Sequence, residues 1–562
     1  MQKIWNIKKY DEEYVKKVMS RYNISEIMAK LIISRNVKFE DIDVFLNGDL
    51  TYLKDPFLML DMDKLVDRVL LSMQNKEKIC IYGDYDVDGI TSITIFYMFL
   101  SKLGVNVCYY LPNRLAEGYG INKKALDEIK KEGSTLLITV DCGITAVEEV
   151  EYAKSIGLDV CITDHHECSE LLPRCTAVVN PKQKNDCYPF KMLAGVGVAF
   201  KCITAISKKL NLDSSSYLDY LDIVSIGTIS DIVPLIDENR IISKFGLEKM
   251  KITTNVGLKA LLKILNYKEI DSTMISFGMA PRINACGRMG NASVAVELLL
   301  EKDSAKADKI AEKLDSLNIQ RQNVEKDIFQ QANKMIEKEK LNNKNSIVLY
   351  GKDWHNGVIG IVASRLVNMY YKPVILLTKE NGIIRGSGRC QVGFSLYEGL
   401  TNCKDLLLQF GGHELAAGLS IDEEKIEKFK EKFEEVVTKT ATNLNEQIVN
   451  IDMEISRKDL NLQILKDVYN LRPYGQSNKE PLFIYKGLKI KAIRTIKDDK
   501  HLKLMLQDDR ALIEAMAFSQ GNRRDEFTLS DKIDTICNVE LNSYNTPKTI
   551  QLIIQDFKKS ID

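Results

Sequence analysis

Three carboxylates, Asp84, Asp86 and Asp88, alternate in the stretch Gly83-Asp84-Tyr85-Asp86-Val87-Asp88-Gly89. An apolar run, KICIY, leads into it and a helical one, TSITIFYMFLSKLG, leads away. Like charges this close repel and raise one another's pKa unless a cation neutralises them. The spacing therefore points to a metal site, with a solvated acidic turn as the plain alternative. The D-x-D-x-D-G opening resembles an EF-hand loop, but no Glu follows at the twelfth position.

Three further pieces have the same character. Asp141 stands in Val140-Asp141-Cys142-Gly143, Asp164-His165-His166-Glu167 follows LDVCIT, and Asp231 stands in GTISDIVPL. Taken singly, a strand-end Asp is usually a helix cap and a His pair is often polar surface. Together they form a carboxylate-and-imidazole donor set suited to two octahedral divalent ions, with Mn2+ favoured over Mg2+ by the nitrogen ligand. Two ions about 4 Å apart are a device for phosphoryl displacement. The chain has 5 histidines, and four of them (His165, His166, His355 and His413) lie in Gly- or Asp-rich stretches, as they would at sites.

The elements around these motifs must bring them together. From Lys78 the pattern alternates strands (KICIYG, VNVCYYLP, TLLITVDCG, LDVCITDHH) with helices. This is the mark of an α/β fold with a doubly wound parallel sheet, whose sites form at the carboxyl ends of strands. Residues 1–75 read as an N-terminal helical segment packing on this unit, which spans 76–302. Residues 303–342, free of Gly and Pro, read as a connector helix. A smaller α/β unit follows over 343–446, and short strands over 447–562 suit a β-barrel.

Composition narrows the classes. At 562 residues, two to four domains are expected. No apolar run approaches the roughly 20 residues that span a bilayer, and MQKIWNIKKYDEEY lacks an apolar signal core, so a cytoplasmic protein without membrane contact is expected. Lys+Arg and Asp+Glu both number 78, which leaves room for a local basic groove beside an acidic metal site. Of 12 cysteines, Cys161, Cys168, Cys175 and Cys187 come closest to a cluster, but without Cys-x-x-Cys spacing they read as free thiols rather than a zinc site.

The motifs, in order, resemble the DHH phosphoesterase superfamily and, within it, the RecJ exonuclease family. The matching stretches are YGDYDVDGITS, PNRLAEGYG, VDCG, DHHE, NPK, GTISDIVPL, PRINACGRMG, WHNGVIGIVASRL, GSGRC and FGGHELAAGL. The resemblance implies a catalytic DHH domain, a long connecting helix, a DHH-associated domain and an OB-fold. It implies 5′→3′ hydrolysis of single-stranded DNA in repair and recombination, with two divalent ions, Mn2+ or Mg2+. Carried over, the metal ligands fall on Asp86, Asp88, Asp141, His165 and Asp231, with Asp84 and His166 as ligands or close to the metals. Arg114, Arg282, Asn284, Arg288, Ser387, Arg389 and His413 would bind the nucleic acid and its 5′ end, and arginine is the natural fork for phosphate. The sequence departs from the family's usual residues at Cys286, Cys390, Ser230, Ser477 and Lys479, and at none of the metal set. Tyr469, Tyr474, Phe483 and Tyr485 are candidate base-stacking residues or barrel core. A helicase and a single-stranded-DNA-binding protein are candidate partners of a monomer. Two other readings stay open: a DHH phosphodiesterase of short oligonucleotides or nucleotide phosphates, and a non-catalytic replication scaffold.

Overall fold

The carboxylate motifs leave the ends of a wholly parallel sheet. Its five strands run in the order Val107–Tyr110, Lys78–Gly83, Ser134–Val140, Asp159–Thr163 and Ala177–Val179. The inner strands are continuous apolar runs because helices cover both their faces. The chain moves outward from Lys78–Gly83 to the edge strand, then returns to start Ser134–Val140 on the other side. A crevice opens where the order reverses, at the carboxyl ends of those two strands. Helix Val87–Lys102 starts at this crevice and buries Ile90, Ile93, Phe96 and Leu100 under the sheet. The computed structural model describes residues 2–113, 117–118, 120–380, 382–442, 446–509, 511–542 and 548–560.

The connector is one helix, Ser304–Lys338, of 35 residues. Its first half buries Ala307, Ala311 and Leu314 in the core of the first unit. Its second half buries Ile328, Ala332 and Ile336 in the core of the second. One helix thus serves two cores, so a break within it would uncouple them. The second unit is a mixed five-stranded sheet, ordered Leu407–Gly412, Ala416–Ile421, Ile383–Arg389, Val374–Glu380, Ile347–Tyr350. Helix Asn356–Tyr370 covers one face and helix Ile426–Thr440 the other, through Phe429 and Phe433.

The C-terminal unit is a closed barrel of five strands: Phe483–Ile496, His501–Asp508, Ala511–Ala517, Thr549–Lys559 and Lys532–Asn542, the last pairing back to the first. Strand HLKLMLQD alternates inward and outward residues, as one wet and one packed face require.

The N-terminal segment departs from the sequence expectation. Residues 2–7 form a strand that pairs in parallel with Glu446–Ile451, Ile4 opposite Ile448. Helices Glu12–Tyr22, Glu26–Ser34 and Ile42–Asn47 bury Val18, Leu31, Ile32 and Phe45 in the same core as Phe483, Leu502 and Phe557 of the barrel. Helix Met62–Gln74, by contrast, packs on the parallel sheet through Leu65, Val66 and Val69. An amphipathic pattern says that a face is buried, not against which partner. Buried Arg240 clamps the arrangement, donating to the carbonyls of Phe45 and Leu471, each at 2.8 Å, and of Asn470 at 3.1 Å. No helix among the described residues is long and apolar enough to cross a membrane.

Candidate active site

All but one of the acidic side chains are set by the backbone that follows a strand, and Asp231 by the end of a helix. Asp86 caps helix Val87–Lys102, its Oδ1 accepting the N–H groups of Asp88 (2.9 Å) and Gly89 (3.1 Å). Asp88 lies in the first turn, fully buried. Its two oxygens accept the N–H groups of Gly195 (2.6 Å) and Val196 (2.8 Å), which open helix Gly195–Lys209. Asp141 follows Ser134–Val140 in a left-handed conformation, φ 59°, which turns its carboxylate back into the crevice. Asp231 ends helix Leu221–Ser230 as its C-cap.

These groups converge on one imidazole. His165 Nε2 lies 3.1 Å from Asp141 Oδ1, 3.6 Å from Asp231 Oδ2 and 3.8 Å from Asp88 Oδ2. Asp141 Oδ1 and His165 Nε2 are buried, and neither makes a hydrogen bond. Polar atoms so placed are costly without a partner, and a cation between them would supply one. The potential ligand atoms fall into three overlapping groups, Asp84/Asp86/Asp141, Asp88/His165/Asp231 and Asp141/His165/His166, each within 4.8 Å. The overlap at Asp141 and His165 fits two neighbouring ions rather than one.

The electrostatics tell the same story. Burial, then the charges of Asp231 and Asp86, push the Asp88 carboxyl well above the usual range. Asp141 is pushed up likewise, by burial and then by Asp88. Asp231 rises to about 7, through burial and the charge of Asp86. Burial and the neighbouring His166 hold His165 down, to about 3, so its imidazole is neutral and ready to donate a lone pair. Burial disfavours charge on His166 as well, but the hydrogen bond and charge of Asp164 override it and raise its pKa.

Two roles escaped the sequence reading. Asp164 supplies the first letter of the motif but joins none of the three potential ligand groups, serving the histidines instead. It accepts the N–H groups of His165 (2.7 Å) and His166 (3.1 Å), the His166 ring nitrogen Nδ1 (2.7 Å), and the N–H of Ile144 (3.0 Å). The other is that of Gly195: a Cβ there would lie 2.5 Å from Asp141 Oδ1. The glycine pair of Gly195-Val196-Gly197 ahead of an apolar helical run was the available signal.

The residues expected to meet nucleic acid divide. Ser387 and Arg389 end the central strand of the second sheet, Arg389 Nη1 donating to Ser387 Oγ at 3.1 Å and to Gly388 O at 2.6 Å. Both face Gly360 of helix Asn356–Tyr370, where an added Cβ would meet them at 2.8 and 3.1 Å. Exposed His413 sits in the adjoining hairpin, whose residue Ala416 pairs with Arg389. Arg288 reaches across the two units to Gly357 O at 3.2 Å, with Asn284 half-buried on the same helix. Arg282 is committed elsewhere, to Asp315 of the connector at 2.8–2.9 Å. Arg114 lies outside the described residues. Of the candidate stackers, Phe483 and Tyr485 are barrel core, and Tyr474 is half-buried with its hydroxyl on Val468 O. Tyr469 is 63% exposed. His355 caps helix Asn356–Tyr370 through Gly357 N.

Fold and site together define a DHH-type enzyme core. Residues 78–228 match the family described as DHH family, N-terminal domain, 343–439 the DHHA1 domain, and 451–556 the RecJ OB domain. The single-stranded-DNA-specific exonuclease RecJ of Bacillus subtilis is 37% identical, over 98% of this chain and 70% of its own. That of Escherichia coli is 30% identical over 94% and 95%. The crystal structure of RecJ in complex with Mn2+ from Thermus thermophilus superposes on all of this chain and 80% of its own, with TM-score 0.87 and 28% identity. The chain belongs to the RecJ family.

Proposed function

We infer that this chain is a metal-dependent exonuclease that hydrolyses single-stranded DNA, from the 5′ end towards the 3′ end. The observation that carries this reading is the convergence of Asp88, Asp141 and Asp231 on the buried Nε2 of His165, in a chain of the RecJ family. Asp84, Asp86, Asp88, Asp141, His165 and Asp231 would hold two divalent ions, Mn2+ or Mg2+, which when bound lower the pKa of water and neutralise the scissile phosphate. The chain's own residues do the rest. The Gly195 and Val196 amides fix both oxygens of Asp88. Asp164 fixes the two histidines, holding their backbone and orienting the His166 ring through Nδ1. Ser387, Arg389 and His413 receive the strand's end, with Arg288 holding the two units in register. The barrel holds the strand beyond, with Tyr469 as a stacking surface.

Single strands arise by unwinding, so a helicase and a single-stranded-DNA-binding protein are the partners this reading calls for, in cytoplasmic DNA repair and recombination. A monomer suffices, because one chain supplies every proposed ligand. End-labelled strands of several lengths, incubated with the protein and Mn2+, test the reading. Release of nucleotides from long single strands, but not duplexes, is expected, and Asp141→Ala is expected to abolish it. Cleavage confined to very short oligonucleotides would point to a different phosphodiesterase, and inertness with metal bound to a scaffold.

A further inference from the structure

We propose that Cys80 and Cys108 form a peroxide-reactive thiol pair that closes to a reversible disulfide across the first two strands of the parallel sheet. The two residues are register partners on Lys78–Gly83 and Val107–Tyr110. Neighbouring strands lie about 4.8 Å apart, inside the Cα separation a disulfide accepts, roughly 4.4–6.8 Å. Side chains of this face do meet: two residues further along, Tyr82 stacks on Tyr110 with ring centres 5.4 Å apart and planes 11° from parallel.

The pair is asymmetric in the way such chemistry needs. Val107–Tyr110 is the sheet's edge, so Cys108 is half-exposed while Cys80 is buried. A hydrogen bond with Cys80 holds the Cys108 thiol down to about 6 against the opposing effect of burial, with Ser134 and the charge of Lys78 adding to it. That same hydrogen bond, together with burial, pushes Cys80 up. The accessible sulfur is therefore the one inclined towards the thiolate, and the buried one towards the thiol. The Cys108 thiolate attacks hydrogen peroxide; the O–O bond breaks, giving a sulfenic acid and a hydroxide that takes up a proton. Cys80, losing its proton, then attacks the Cys108 sulfur; the S–O bond breaks, water leaves and the S–S bond forms. Two thiols and one peroxide become one disulfide and two waters, and a dithiol reverses the change.

The bond has a route to the site. A disulfide draws its Cβ atoms to about 3.8 Å, pulling the edge strand inward. Tyr82, next on this face, donates to Gly120 O at 2.7 Å, and Tyr110 to Glu117 at 3.0 Å, a residue whose other oxygen accepts the N–H of Asn113. Two residues beyond Tyr82 is Asp84. Slower hydrolysis in the oxidised state is the expected consequence, and this part alone rests on the function proposed above.

The test oxidises the reduced full chain with hydrogen peroxide and maps its peptides without reduction. A cross-linked peptide joining Cys80 to Cys108, absent after dithiothreitol, is expected. Cys80→Ser, whose hydroxyl can keep the hydrogen bond, should leave a sulfenic acid on Cys108 that dimedone labels, Cys80→Ala, which removes it, should label more slowly, and Cys108→Ser should yield neither product. An oxidised, folded wild type without the cross-link, or a folded Cys80→Ser variant whose Cys108 resists dimedone, overturns the proposal. Single-strand hydrolysis should fall several-fold on cross-linking and return with dithiothreitol; an unchanged rate in the cross-linked protein overturns the route to the site. A reduced chain with no hydrolysis at all would be a failure of the proposed function, and the peptide map would still decide the thiol pair.

Discussion

Asp164 Oδ1 accepts the ring nitrogen Nδ1 of His166 at 2.7 Å, and the same oxygen accepts the backbone N–H groups of both histidines. One buried carboxylate therefore sets the backbone of the pair and the orientation of one ring, while its other oxygen anchors the loop at Ile144. Burial opposes ionisation of Asp164, but the His166 hydrogen bond keeps its pKa below the ordinary value.

Asp164→Ala should thus disable the site without touching a proposed ligand. Partners of this kind contribute about 10- to 100-fold in metal affinity or activity. Mn2+ titration by calorimetry should show weakening in that range, with circular dichroism unchanged. Wild-type metal affinity in a folded Asp164→Ala protein would show that the histidines are held by something else.

Much of this centre was legible in the sequence, and the reason is local. In a parallel sheet the residues after each strand land at one edge, so the motifs Asp84–Asp88, Asp141 and Asp164–His166 announce their own convergence. Helix Ser304–Lys338 was legible for a similar reason, since a continuous pattern needs no distant partner. What stayed hidden was long-range. Nothing near Ile4 reveals its pairing with Ile448, and nothing near Phe45 reveals the barrel core it joins. Arg282 shows the same limit: an arginine in a phosphate-binding motif looks alike whether it faces a strand of DNA or Asp315.

The crowded carboxylates predict a pH dependence in metal-free protein. A folded pKa raised above the unfolded one contributes stability below the unfolded value, and that contribution is lost as pH rises through the folded value. Asp231 moves from 3.8 to about 7, and Asp88 and Asp141 are raised too. Metal-free protein should therefore lose thermal stability as pH rises from about 4 to about 7, within the range where it stays folded. Added Mn2+ should raise the melting temperature more near neutrality than in mild acid, because bound ligands must be deprotonated. A Mn2+-induced shift that is flat across this window would mean the carboxylates are already ionised without metal.

The N-terminal packing predicts which truncations survive. Removing residues 448–562 alone strips the barrel from Val18, Leu31, Ile32 and Phe45 and the pairing strand from Gln2–Ile7, leaving an apolar surface that should aggregate. Removing residues 1–47 as well should restore a soluble protein, since Leu50 and Leu53 already pack on the parallel-sheet core. That shorter chain should keep slow hydrolysis but bind long strands more weakly, with a shallower salt dependence. Size-exclusion profiles of the two truncations decide the first point, and salt titration of binding decides the second.

Arg389 predicts how the strand's end is read. It ends the strand Ile383–Arg389 with Ser387 on the same face, and Gly360 gives both room against the start of helix Asn356–Tyr370. A terminal phosphate carries more charge than an internal diester and offers more acceptor oxygens, which a guanidinium, a hydroxyl and nearby backbone N–H groups can divide among them. A 5′-phosphorylated strand should therefore dock end-first, leaving its first scissile bond over the carboxylates. Exonuclease polarity then comes from the anchor, because the hydrolytic step has no intrinsic direction. A charge-assisted contact of about 1.5–3 kcal/mol corresponds to a loss of roughly 10- to 150-fold in kcat/KM. Arg389→Ala should show that loss on 5′-phosphorylated strands, mostly as raised KM, and a smaller one on 5′-hydroxyl strands. Equal losses on both ends would assign Arg389 to the scissile phosphate or to the packing against Gly360, and would move the source of polarity elsewhere.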